Sequence, residues 1–132
     1  MMLLVTGTTA AGINPFFFTF FPTLAADSWL TIGIESQPTG DEVTISTIED
    51  SNQPYLGSFA AGSALDGENI LINTLTGGAW WVLNGVSNGL GNDNGQVLVM
   101  QVTTAGSLSG LVKCSNLWER RWRERSPKDV LI

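Results

Sequence analysis

Histidine is absent from this 132-residue chain, and cysteine occurs once, as Cys114. Zinc sites built from several Cys and His ligands are therefore excluded, and so is His-based acid–base catalysis. A single thiol leaves no intrachain disulfide, which removes the small cysteine-scaffold classes without arguing against secretion. Residues 1–112 also lack Lys and Arg, yet carry nine carboxylates from Asp27 to Asp93. Such a surface has nothing to neutralise phosphate, so nucleic acid is not an expected partner and anionic headgroups are repelled. No apolar run reaches the roughly 20 residues of a spanning helix, so no membrane span is expected. The length suits one domain with one core.

What the body lacks, the end supplies. Lys113, Arg120, Arg121, Arg123, Arg125 and Lys128 arrive together, interleaved with Trp118 and Trp122. The chain thus divides into an N-terminal apolar segment (1–26), a β module (27–112) and a basic Trp/Arg tail (113–132). In the first segment, Thr23-Leu24-Ala25 before Ala26 resembles a signal-peptidase site. The segment has no basic n-region, however, and Gly12, Asn14, Pro15 and Pro22 interrupt it, so it reads as the start of the module. In the tail, Leu117, Trp118, Arg121, Trp122 and Arg125 fall at helical spacing before Pro127, which predicts a short helical or irregular segment. Three origins fit it: a membrane-surface or partner-binding helix, a solvated appendage, or a reading-frame slip near codon 113. The last accounts best for the abrupt charge boundary, because the codons read one base later permit an alternating strand that continues Gly110-Leu111-Val112.

Between these ends the language is that of strands. Ser28–Glu35 and Glu42–Glu49 alternate bulky apolar with small or polar residues, with Pro38, Thr39, Gly40 and Asp41 as the turn between them. Asn69–Asn73, Gly77–Gly85, Gln96–Thr104 and Ser107–Val112 add further strand-length runs, and Tyr55, Leu56 and Phe59 look like anchors under a loop. Strands at this spacing with no helical periodicity predict an all-β fold. The expected architecture is an antiparallel β-sandwich of about seven or eight strands, lacking its last strand if the tail is aberrant.

Three stretches, Asp27–Gly33, Gly77–Gly85 and Gln96–Thr104, resemble a secreted repeat module of large extracellular proteins from marine bacteria and microalgae. The resemblance covers roughly residues 14–112 and includes Asn14-Pro15-Phe16-Phe17-Phe18. It implies an extracellular or cell-surface module with neighbouring modules in a longer chain, and it carries over no catalytic or binding residue. Similar modules follow Gln96–Thr104 with one more strand, which this chain lacks.

Two constellations bear on chemistry. Asn92, Asp93 and Asn94, on the Gly-rich loop Asn88–Gly95, offer the hard oxygens that calcium takes, with Asp66 and Glu68 as weaker candidates to complete a site. The spacing departs from an EF-hand loop, and Asn, Asp and Gly are also ordinary turn residues, so a plain turn is the simpler expectation. No cofactor other than calcium is implied. Trp80, Trp81 and Tyr55 are candidates for a sugar-stacking platform. In a strand the two tryptophans point to opposite sides, so one belongs to the core and the other to solvent, while Trp29 is expected in the core. Carboxylate pairs such as Asp41–Glu42 and Glu49–Asp50 sit in turns, and no His or Lys stands ready to activate a serine. The expectation is a non-catalytic extracellular structural or adhesion module, partnered by neighbouring modules or surface glycans. The alternative is a calcium-assisted carbohydrate-binding module. An isolated chain lacking its last strand is expected to self-associate through an open sheet edge.

Overall fold

The structure, a computed structural model, describes residues 8–60, 69–114 and 128–131. Within them lie six strands: β1 (Trp29–Leu30), β2 (Ser46–Ile48), β3 (Ala79–Trp81), β4 (Met100–Gln101), β5 (Leu111–Cys114) and β6 (Lys128–Leu131). One short α-helix, α1 (Leu56–Ala60), and four 3₁₀ turns complete the regular structure of the described residues.

The N-terminal part is shaped by its prolines. Pro15 and Pro22 open the 3₁₀ turns Pro15–Thr19 and Pro22–Ala26, because a proline at the first helical position forfeits no needed N–H. Asn14 caps the first turn by accepting from Phe16 N at 3.0 Å. An earlier turn, Ala10–Gly12, delivers Ala10 and Ile13 to the interior. The core gathers Ala10, Ile13, Trp29, Ile34 and Ile45, with Phe18, Ile32, Trp80 and Val82 packed against it. Two of those five buried side chains, Ala10 and Ile13, thus come from the first 26 residues.

The strands pair as three separate antiparallel ribbons, β1 with β4, β2 with β3 and β5 with β6. Trp29 stands opposite Gln101, Thr47 opposite Trp80, and Val112 opposite Val130. Outside the ribbons, Thr9 makes a parallel bridge to Leu30, and Leu30 N donates to Thr8 O at 3.0 Å. The first two ribbons are joined through Trp80, whose indole N–H lies 2.8 Å from Val99 O and 3.1 Å from Thr31 O.

The expected sandwich of seven or eight strands is therefore corrected. Among the described residues no sheet has more than two strands. The reason is visible where the predicted long strands break. Gly33, three residues past the end of β1, takes φ +70°, a left-handed conformation that interrupts the extended backbone expected over Ser28–Glu35. Thr31 N and Gly33 N still bond Val99 O and Leu98 O, so the pairing beyond β4 persists only as irregular bonds. The apolar run at 69–73 carries strand-like side chains but has no partner strand among the described residues, and Ile70, Leu71 and Ile72 are exposed. The tail is corrected in part as well. Lys128–Leu131 is a strand on β5 rather than a helical or irregular segment, and β5 itself runs through the charge boundary at Lys113. The predicted helical stretch around Leu117–Arg125 lies outside the described residues.

Candidate functional site

Every polar group that the sequence offers for chemistry must be weighed against the bonds it already makes. Glu49 leaves β2 into a turn where a single carboxylate oxygen, Oε2, accepts from Tyr55 N and Leu56 N, both at 2.8 Å. These amides stand at and just before the N-terminal end of α1, so the carboxylate fastens the start of the helix to the ribbon. Asp50 accepts from Asn52 N and Asn52 Nδ2 through Oδ1 and from Thr76 Oγ1 through Oδ2, the last at 2.5 Å. The Thr76 hydroxyl, followed by the other hydrogen bonds, holds the Asp50 carboxyl down at about 2. Glu42 accepts from Thr39 N and Thr39 Oγ1, closing the turn that precedes β2.

The calcium candidate resolves into local geometry. Asn92 Oδ1 accepts from Asn94 N and Gln96 N, both at 3.0 Å, while Asn92 N donates to Gln96 O at 2.8 Å. This is an Asx turn closed by Gly95 at φ +71°, and it turns the Asn92 oxygen onto backbone amides. Asp93 and Asn94 are exposed. Asp66 and Glu68 lie outside the described residues. Among the described residues no three Asp, Glu, Cys or His side chains converge.

The aromatic candidates separate. Trp80 and Trp81 occupy opposite faces of β3: Trp80 is packed against the core, whereas Trp81 is 41% exposed. Trp29 is buried, and its indole N–H has no partner. Tyr55 is buried at 2% exposure, with its hydroxyl 3.3 Å from Ile48 O and its ring against Gly78, where any Cβ would overlap it. Burial, then the nearby Glu49 carboxylate, pushes the Tyr55 phenol above its ordinary value. The structure therefore does not bring Trp80, Trp81 and Tyr55 onto one platform. Of the three, Trp81 faces solvent.

A buried polar hub falls on a residue that composition does not single out. Asn88 is 4% exposed, and its Nδ2 donates to Ile32 O at 2.9 Å and Val43 O at 3.1 Å. Its Oδ1 accepts from Val43 N at 3.1 Å. One side chain so ties three segments that are far apart in sequence. Its backbone carbonyl lies against Gly33, where a Cβ would collide with it. The available signal was Gly33 itself, since a glycine inside an alternating strand marks a close backbone approach.

No family model, curated protein or solved structure matches this chain. No helix among the described residues is long and apolar enough to cross a membrane.

Proposed function

We propose that this chain is a non-catalytic structural or adhesion module of a larger extracellular or cell-surface protein. The carrying observation is how its polar side chains are employed. Glu42, Glu49, Asp50, Asn88 and Asn92 all bind backbone amides of their own fold. A carboxylate held by two amide donors acts as a clamp within its own fold, its acceptor oxygen already engaged by backbone. The acidic, cation-free body and the resemblance to a secreted repeat module support an extracellular setting. Neighbouring modules are the natural partners, because many large apolar side chains face outward, Leu75 and Leu83 among them.

The test compares wild type with Glu49→Gln and Asp50→Asn on a panel of chromogenic glycosides, alongside urea unfolding. Glu49→Gln should weaken the fold by about 1–2 kcal/mol, since a charged acceptor of two hydrogen bonds becomes neutral. Neither wild type nor variants should turn over substrate. Hydrolysis by wild type that either substitution abolishes would reject the reading.

A further inference from the structure

We infer that the outer face of the β2–β3 ribbon is a self-association surface covered by a second copy of this chain. The inference rests on the structural-module reading and adds which face is used and what covers it.

Alternation along the ribbon assigns its two faces. Thr47 stands opposite Trp80, and Trp80 and Val82 pack on the core. Ser46 opposite Trp81 and Ile48 opposite Ala79 therefore form the outer face, and all four are exposed. Leu83, two residues beyond Trp81, continues that face at 74% exposure. An antiparallel ribbon with one face on a core ordinarily shows polar side chains to water on the other. Here the outer face carries Trp81, Ile48 and Ala79, with Ser46 its one polar side chain.

The surface extends past the ribbon. The segment leading into β3 is fastened alongside the turn after β2 by Asn73 N to Gln53 Oε1 at 2.6 Å and by the Thr76–Asp50 bond. It carries Ile70, Leu71 and Leu75, all exposed. Summed over the outer ribbon face (Ile48, Trp81, Leu83) and this neighbouring segment, the exposed apolar side chains amount to roughly 750 Å², taking about 200 Å² for a fully open side chain of this size. That sum is close to the roughly 800 Å² each partner contributes to a standard interface. The other outward aromatic group, Phe16, Phe20 and Phe21, offers about half as much.

Chemistry selects the occupant. Ile48, Leu71, Leu75 and Leu83 give a sugar no hydrogen-bonding group, so one exposed tryptophan among aliphatic chains is a poor glycan site. Residues 1–112 contain no cation to draw the face onto an anionic membrane or an acidic partner. A second copy meets the same aliphatic surface with its own. Each of β2 and β3 also has one edge unpaired among the described residues, so a two-fold contact can extend the ribbon edge to edge. Asp50 and Glu49 border the face, so like charges oppose the contact and salt should strengthen it.

Sedimentation velocity on the full chain, from low to high micromolar concentration at low and high sodium chloride, tests this. Wild type should dimerise, more tightly in high salt, with tryptophan emission shifting to the blue. The double substitution Ile48→Thr with Trp81→Thr should weaken dimerisation at least tenfold while retaining the circular dichroism and unfolding midpoint of dilute wild type. Should that variant not fold, Leu83→Ser, beyond the end of β3, must give the same loss. A wild type that stays monomeric throughout, or variants that associate unchanged, would overturn the proposal. So would tryptophan protection that appears only on adding an oligosaccharide, which would give the face to a glycan. Those failures leave the structural-module reading standing, whereas glycoside turnover by a protein that dimerises as described would reject that reading alone.

Discussion

Replacing Asn88 by Ala should cost about 3 kcal/mol of folding free energy. The side chain is buried, and its amide meets Ile32 O, Val43 O and Val43 N. Truncation leaves those three backbone groups without their partner, each worth about 1–3 kcal/mol when stranded, with water entering the vacated space recovering part. For a domain of this size the loss corresponds to a fall of about 10 °C in unfolding midpoint. Asn88→Asp separates hydrogen bonding from shape. A carboxylate can still accept from Val43 N, but it faces two carbonyl oxygens where the amide donated. Its folded pKa should therefore rise above the unfolded value of about 3.9. The sign follows from linkage: the variant is least impaired below about pH 4 and loses stability as pH rises through the folded pKa. Urea unfolding followed by tryptophan fluorescence, at pH 4 and pH 7, reads both effects. A change under about 0.5 kcal/mol for Asn88→Ala, the size of an ordinary surface substitution, would refute the reasoning. A pH-independent Asn88→Asp would do so too.

Other outcomes follow from the same contacts. Gly33→Ala combines φ +70° with a Cβ driven into the Asn88 carbonyl, so it should cost at least about 3 kcal/mol and, in cells, most of the soluble yield; wild-type stability would contradict the close approach. Thr76→Val removes the leading cause of the low Asp50 pKa, so an NMR titration should show it moving from about 2 toward 3.8. The stabilisation tied to ionised Asp50 is present above the ordinary carboxylate pKa and fades as pH falls toward 2, and the variant should narrow that window. Because Asn92 Oδ1 is committed to Asn94 N and Gln96 N, exchanging calcium for EDTA should leave the unfolding midpoint unchanged. A calcium-dependent rise would reopen the metal reading of that loop.

Alternation and composition were readable where a feature is local. The opposed faces of Trp80 and Trp81, the burial of Trp29 and Tyr55's anchoring of a loop follow from period and side-chain size alone. The turn at Asn92–Gly95 follows from residues that tolerate left-handed backbone and bond their own amides. The sandwich did not follow, because strand-like composition states which segments can pair and not which do. Among the described residues Ile70–Ile72 has the side chains of a strand without a partner strand, and β1 spans only two residues, with the left-handed Gly33 against Asn88 three residues beyond it. Asn88 itself was invisible as a hub, since it reaches residues 45 and 56 positions away. Such closure depends on topology that short-range pattern does not contain.

The most direct measurement joins two copies head to tail through a flexible linker, making the second contact intramolecular at millimolar effective concentration. If the chain is a structural module that works through its outer ribbon face, the tandem should unfold at a higher temperature than the dilute single chain. Acrylamide quenching of its tryptophans should fall, and Trp81→Thr in both copies should remove both gains. A tandem that unfolds at the single-chain temperature with equally quenched tryptophans would contradict the account.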